Sequence, residues 1–280
     1  MIPLNHPADR SLSARVAIVT GAGTQGDGIG NGRAAAILLA RDGAQLGLID
    51  RNIKDAERTL RMIEDEGGKA MVLSCDVSEP SECQAAIECA FEAWGRIDIL
   101  VNNVGIGGPI GTAVDLDLKA WDDGLRINVT SMMLMARYAI PKMRLQGAGS
   151  IINIASVAGL LGGHPGLLYP TSKGAVVNLT RAMSAQHGAE GIRVNCVAPG
   201  MVYTPMVYGK GMSDEKRRLR HSRALLPTEG SGWDVGHAVR FLASDEARWV
   251  TGIVFPVDGG STAARPLPGS SPDHAYLPKS

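Results

Sequence analysis

Short apolar runs alternate with helical stretches along the chain. Residues 16–19 form the first run, followed by a glycine-rich stretch and a helical period over residues 34–41. A second run at 45–49 ends on Asp50, and a charged amphipathic segment over 53–66 follows, closed by Gly67-Gly68. A third run lies at 70–73, and residues 81–94 read as a helix with Pro80 at its start. Residues 97–101 form a fourth run, and a long helix with Asn128 near its start reaches residue 144. Further runs at 150–154, 193–197 and 253–257 follow, with a helical period over 169–187 between the first two of them. Strands covered by helices on both faces read this way: short, uninterrupted and rich in Val and Ile. The pattern predicts an α/β fold, a single doubly wound parallel sheet of about seven strands with helices on both faces.

Composition narrows the function classes. Of 280 residues 45% are hydrophobic, enough for a large core, and 28 basic residues balance 28 acidic ones. A zero net charge gives no ground for a nucleic-acid or anionic-membrane partner. No apolar run approaches the roughly 20 residues that span a bilayer. Residues 1–13 are polar, hold two prolines and lack the apolar stretch of a secretory signal. Cys75, Cys83, Cys89 and Cys196 show no CxxC and no metal-type spacing, so they read as reduced thiols of a cytoplasmic protein with no metal site. The expected organisation is an N-terminal extension over 1–13, one domain over 14–263 and an irregular Pro-, Ser- and Gly-rich tail over 264–280. Such a tail could also lie across a neighbouring subunit.

The first run leads into Thr20-Gly21-Ala22-Gly23, then Gly26, Gly28, Gly30 and Gly32. Glycines let the backbone approach a pyrophosphate, and the next helix offers free N–H groups at its positive end. A glycine-rich loop alone could simply be flexible, but here a strand precedes it, a helix follows it and an acid stands further on. Gly21, Gly23, Thr24, Gln25, Gly28, Ile29 and Gly30 are the candidate phosphate-turn residues. Asp50, closing the second strand, can accept hydrogen bonds from both adenosine ribose hydroxyls and would repel a 2′-phosphate, which favours NAD over NADP. Asp50 could instead cap the following turn, and Arg51 could accommodate that phosphate. Asp76-Val77 follows the third strand and Asn102-Asn103-Val104-Gly105 the fourth, both at the carboxyl edge where open parallel sheets bind ligands.

Tyr169 and Lys173 stand four apart in a helical segment, so they share one face. A free tyrosine titrates near 10 and is a poor base at neutral pH; lowering it by about 3 units takes roughly 4 kcal/mol. An ammonium at about 4 Å supplies that order of energy at an effective dielectric near 20. Ser156, just after the fifth strand, can hydrogen-bond a substrate oxygen, or can serve as a turn serine.

Taken together, these segments resemble the short-chain dehydrogenase/reductase family over residues 15–261. The likeness rests on Thr20-Gly21-Ala22-Gly23, Asp50, Asp76-Val77, Asn102-Asn103-Val104-Gly105, Asn128, Ser156, Tyr169-Pro170-Thr171-Ser172-Lys173, Pro199-Gly200 with Thr204, and Asp258-Gly259-Gly260. The resemblance implies a Rossmann-like fold, a homotetramer, and a catalytic tetrad of Asn128, Ser156, Tyr169 and Lys173. Tyr169 would be the general acid/base and Lys173 the residue that lowers its pKa and binds the nicotinamide ribose. Ser156 would hold the substrate oxygen, and the Asn128 backbone would help hold a water of the proton relay. Pro199, Gly200, Val202 and Thr204 would meet the nicotinamide end, Thr204 at its carboxamide. Three features depart from the family. The glycine loop is about five residues longer than usual, so Gly28-Ile29-Gly30 or Gly30-Asn31-Gly32 could open the helix, with Asp27 expected to point outward. Val104 replaces the usual alanine. Pro170 follows the tyrosine directly, which a first helical turn tolerates, so that helix starts at Tyr169 or a residue or two earlier.

Three stretches should surround the substrate: 106–112, 157–164 and a lid over 201–228. The lid carries Met201, Tyr203, Met206, Tyr208 and Met212, which suit a largely apolar alcohol or ketone or simply pack the lid. His164 and Met206 join Ser156 and Tyr169 as candidate substrate contacts. The basic run over 216–220 reads as a solvated helix face; a carboxylate-bearing substrate is the sharper alternative. The expected activity is NAD-dependent hydride transfer between a secondary alcohol or ketone and nicotinamide. The alternative is an NADPH-dependent ketone reductase, for example on a 3-oxoacyl thioester. A cofactor-binding regulator without turnover would be expected to lack a tetrad member, and none is missing.

Overall fold

The structure, a computed structural model, describes residues 9–209, 211–265 and 267. In chain order its elements begin with β1 (Val16–Thr20), α1 (Asn31–Arg41), β2 (Gln45–Asp50), α2 (Ile53–Asp65), β3 (Lys69–Ser74) and α3 (Pro80–Trp94). There follow β4 (Ile99–Asn102), α4 (Leu118–Leu125), α5 (Ser131–Arg144), β5 (Gly149–Ile154), α6 (Leu168–His187) and β6 (Ile192–Pro199). The lid contributes α7 (Pro205–Tyr208) and α8 (Asp214–His221), and α9 (Gly232–Ala243) and β7 (Val254–Val257) complete the described fold.

The seven apolar runs form one parallel sheet in the order β3-β2-β1-β4-β5-β6-β7. From β1 the chain winds outward to β3, then crosses back to place β4 on the other side of β1. That reversal opens a crevice at the carboxyl ends of β1 and β4. The central strands are buried along their whole length, as their Val/Ile content requires. On one face α1 packs against α9, burying Ala35, Ala36, Leu39, Val235, Val239 and Leu242 among others. On the other face α3 packs against α5 through Cys83, Ile87, Met135, Ala139 and Met143.

Two local features differ from the periodicity. The long helix begins at Leu118, where the Asp117 carboxylate caps it by accepting the Ala120 N–H at 3.0 Å. It is interrupted by a π-helical turn over Arg126–Thr130 that holds Asn128, before α5 begins. A π turn carries ordinary side chains and no glycine or proline marks it here, so the sequence reads through it. The second is α9, which the periodicity leaves unassigned; the Ser231/Asp234 capping box, an S-x-x-D pattern, fixes its start.

α6 starts at Leu168 and accommodates Pro170 in its first turn, within the range the sequence allowed. Residues 1–8 of the expected N-terminal extension and 268–280 of the expected tail lie outside the described residues. Among the described residues no helix is long and apolar enough to cross a membrane, and no group of His, Cys, Asp or Glu could hold a metal ion.

Candidate active site

A cavity of about 1260 Å³ runs along the carboxyl edge of the sheet. From β1 and the start of α1 it is lined by Gly21, Gly23, Thr24, Gln25 and Gly30; from β2 by Asp50 and Arg51; and after β3 by Asp76 and Val77. Asn103, Val104 and Gly105 follow β4, and Ser156, His164, Tyr169 and Lys173 face it after β5. Pro199, Gly200, Val202, Thr204 and Met206 close it after β6. Three residues expected at the site do not line it. Gly28 packs against Pro205 and Tyr208 of the lid, Ile29 backs onto Gly232, and Asn128 lies buried behind the wall.

Of the two alternatives, Gly30-Asn31-Gly32 opens α1. Gly30 is the N-cap of α1, no side chain caps the helix, and the first i→i−4 bond runs from Ala34 N–H to Gly30 O at 2.9 Å. The earlier N–H groups of the turn are therefore open to an anion. Gly32 is required by close approach: a Cβ there would collide with the carbonyl of Gly21. Asn31 lines the same wall with its buried Oδ1 unpartnered. Open helix N–H groups and a glycine cradle fit the phosphates of a dinucleotide. The cavity exceeds the roughly 300–1,000 Å³ of common ligand pockets, as a dinucleotide beside a substrate requires.

Arg33 organises the lengthened loop, and the sequence reading did not single it out. Its side chain is fully buried. Nε donates to the Thr59 hydroxyl at 2.9 Å; Nη1 donates to Gly26 O and Gly28 O at 2.8 and 2.7 Å. Nη2 donates to Thr24 O at 2.9 Å and Asp55 O at 3.2 Å. A guanidinium carries five N–H bonds, and all are used. Thr59 in turn donates to Ala22 O at 2.8 Å. Burial lowers the Arg33 pKa, while Asp55 opposes that effect. The legible signal is an arginine on the apolar face of an Ala- and Leu-rich helix. Asp27 is exposed, as expected.

Asp50 combines the two roles weighed for it. Its Oδ2 accepts the Gly23 N–H and its Oδ1 accepts the Asn52 N–H, both at 2.9 Å, yet the residue still lines the cavity. Arg51 is close enough to Asp76 to lower that carboxylate's pKa, after the hydrogen bonds from Ser78, which lower it most.

In the cavity Tyr169 and Ser156 line the same wall, near enough for Ser156 to lower the Tyr169 pKa. Ser156 also caps a short 3-10 turn, accepting the Ala158 N–H at 3.1 Å. The His164 ring lies 5.1 Å from the Tyr169 ring, centroid to centroid. Lys173 is buried and donates to Ile154 O at 2.9 Å, with its ammonium 5.8 Å from the Tyr169 ring centroid. Gly105 makes room for that ammonium, since a Cβ would lie 3.0 Å from Nζ.

The electrostatics differ from the sequence expectation. Burial raises the Tyr169 pKa, and Ser156 acts in the opposite direction. Burial likewise pulls Lys173 from 10.5 down to about 8. Dehydration of both groups opposes ionisation of both. At neutral pH the pair is therefore a phenol beside an ammonium.

Asn128 secures the first turn of α6. Its Nδ2 donates to Ile106 O at 2.9 Å and to Ser172 Oγ at 3.0 Å, and its Oδ1 accepts the Ile106 N–H at 2.8 Å. Ser172 Oγ donates to Tyr169 O at 2.8 Å. The side chain thus ties the loop after β4 to the turn that carries Tyr169.

The lid divides its residues between packing and lining. Tyr203 and Tyr208 stack on each other at 4.7 Å, and Arg217 covers Tyr203 at 4.1 Å while pairing with Glu229 at 2.5 Å. Met201 and Met206 line the cavity, whereas Met212 does not. The basic run is not wholly a solvated face: Lys216 and Arg220 line the cavity because α8 lies along its rim.

Comparison with known proteins agrees with this geometry. Residues 24–262 match the family model described as enoyl-(acyl carrier protein) reductase. The chain is 39% identical over 242 residues to 2-(S)-hydroxypropyl-CoM dehydrogenase 3 of Xanthobacter autotrophicus, covering 85% of this chain and 94% of that one. It is 35% identical to the cis-4-hydroxycyclohexanecarboxylate dehydrogenase of Sinomonas cyclohexanicum, covering 90% and 98%. A 7α-hydroxysteroid dehydrogenase solved with NADH and 7-oxo glycochenodeoxycholic acid superposes with a TM-score of 0.82 at 32% identity, covering 90% and 95%. The chain belongs to the short-chain dehydrogenase/reductase family and is an oxidoreductase acting on alcohols.

Proposed function

We propose that the protein is an NAD-dependent dehydrogenase of secondary alcohols, with Tyr169 as general acid/base. The observation that carries this reading is the meeting of Tyr169, Ser156 and Lys173 midway along a cavity whose other wall fits a dinucleotide. Bound NAD supplies the two-electron acceptor for the carbinol hydrogen. The Ser156 hydroxyl holds the substrate oxygen, and Tyr169 Oη takes the hydroxyl proton in oxidation and returns it in reduction. The buried Lys173 ammonium favours the phenolate when it forms; a unit charge at about 6 Å contributes about 3 kcal/mol at an effective dielectric near 20. Asn128 acts through Ile106 and Ser172 as a positioning residue.

NAD is preferred over NADP because two carboxylates, Asp50 and Asp76, line the adenosine end against the single cation Arg51. Arg51 in that wall is what favours the second reading, an NADPH-dependent ketone reductase. The proposal includes a cytoplasmic location. It also includes a homotetramer built on α5 and α6, with Met133 of α5 exposed for such a contact; gel filtration tests the latter. The activity is tested by following NADH formation over a panel of secondary alcohols with the wild-type enzyme and Tyr169→Phe. NADH formation by the wild type alone supports the reading, and equal rates in the two proteins refute it.

A further inference from the structure

Apart from Arg51, which lies beside Asp50 and Asp76, and Lys173, the carboxylates and cations lining the cavity gather at opposite ends of the sheet. The cavity's only lining carboxylates among the described residues, Asp50 and Asp76, follow β2 and β3 at one edge of the sheet. Lys216, Arg220, Arg223 and Arg265 line the part built after β6 and β7. β3 and β6 are five strand positions apart in the sheet, which at about 4.8 Å per strand is roughly 24 Å. Coulombic pairing between the two groups is weak over that distance.

These four cations are also unmatched locally. Among the described residues none of them has an ion pair or a side-chain hydrogen bond. Arg217 on the same helix shows the contrast, since Glu229 takes it in a two-point ion pair and Tyr203 lies under it. Arg217 anchors α8 to the lid and fixes which face turns inward. Lys216, Leu219, Arg220 and Arg223 follow at helical spacing, and all four line the cavity. Arg220 is half-buried beside Arg223, and burial followed by that like charge lowers its pKa. Glu229 offsets part of this effect on Arg220, but it is already held by Arg217, and a half-buried guanidinium beside a second, exposed one gains from an added anion. Leu161, Met201, Met206 and Leu219 give the same cavity apolar lining.

We propose that the lid end of the cavity is an anion subsite and that the substrate is a hydroxy acid. Its carbinol end meets Tyr169 and Ser156, its apolar middle spans the Met- and Leu-lined wall, and its carboxylate is held by Arg220 and Arg223. A guanidinium fork takes a carboxylate through two parallel hydrogen bonds. This assignment rests on the dehydrogenase reading for the placement of the carbinol end.

The test uses (ω−1)-hydroxy fatty acids, from butanoate to decanoate, with their methyl esters. Turnover with NAD is measured for wild type, Arg220→Gln and the more exposed Arg223→Gln, and acid binding is measured by calorimetry with NADH present. The acid-to-ester ratio of kcat/KM should exceed one at the best chain length. Each substitution should lower that ratio and the acid affinity by about 10- to 100-fold. Equal turnover of acids and esters overturns the anion subsite and leaves the dehydrogenase intact. Acid binding that depends on Arg220, without NADH formation from any acid or ester, supports the subsite and counts against the dehydrogenase reading. Loss of NADPH affinity in Arg220→Gln, with acid binding unchanged, assigns the cluster to a cofactor phosphate and overturns the proposal.

Discussion

The guanidinium of Arg33, in the first turn of α1, donates to the hydroxyl of Thr59 on α2 at 2.9 Å, with both side chains out of contact with solvent. Its other four N–H bonds end on backbone carbonyls of the glycine loop and of α2. Arg33 thereby ties the lengthened loop to α2. Arg33→Met leaves several carbonyls without partners, so it should destabilise the fold by about 3 kcal/mol. Urea unfolding and NADH titration check this; a change below about 0.5 kcal/mol, typical of surface substitutions, means that the loop does not depend on Arg33.

Tyr169→Phe removes the hydroxyl proposed to carry the proton, and little volume. Turnover should fall about 100- to 10,000-fold, while NADH affinity changes little. Because burial holds the Tyr169 pKa above its ordinary value, the phenolate fraction at neutral pH is small and rises with pH. The rate of alcohol oxidation should therefore climb toward alkaline pH, and ketone reduction should be favoured near neutrality. A flat pH profile for oxidation would sink the acid/base assignment.

Lys173 gives a stability test independent of turnover. Its pKa is 10.5 in the unfolded chain and about 8 when buried in the fold. Between those values the unfolded state holds the extra proton, so stability rises with pH across that window. The shift corresponds to about 3 kcal/mol in all. Relative to Lys173→Met, the wild-type protein should gain that amount between pH 8 and 10.5 in chemical denaturation. Parallel stability curves would show that the buried lysine pays no desolvation cost.

Asp50→Asn keeps the shape of a group that accepts from Gly23 and Asn52 but removes its charge. NADH should bind about tenfold more weakly, the worth of one charge-assisted hydrogen bond, and the gap to NADPH should narrow. Fluorescence titration with both cofactors reads this. An unchanged preference would mean that Asp50 serves only as a cap.

The strands, and which residue types stand at their carboxyl ends, were legible in the sequence because buried parallel strands demand continuous Val and Ile. A dinucleotide turn also demands glycine, whatever the rest of the fold does. The seven runs became seven strands within a few residues of their expected limits, and Tyr169 and Lys173 share a helix face by spacing alone. Arg33 was not legible as a loop staple, since its five acceptors lie on two separate segments, the glycine loop and α2, that only the packed fold brings together around it. The π turn at Asn128 was hidden because it uses ordinary helical residues.

The sequence by itself determined the element order, the carboxyl-edge position of the site and the residue types at its centre, because these follow from periodicity and local spacing. Tertiary structure decided which glycine pair opens α1, which lid residues pack and which line the cavity, and where its unmatched cations gather. It also decided the direction of the Tyr169 pKa. Those outcomes depend on burial and on contacts between distant segments, which no local pattern encodes.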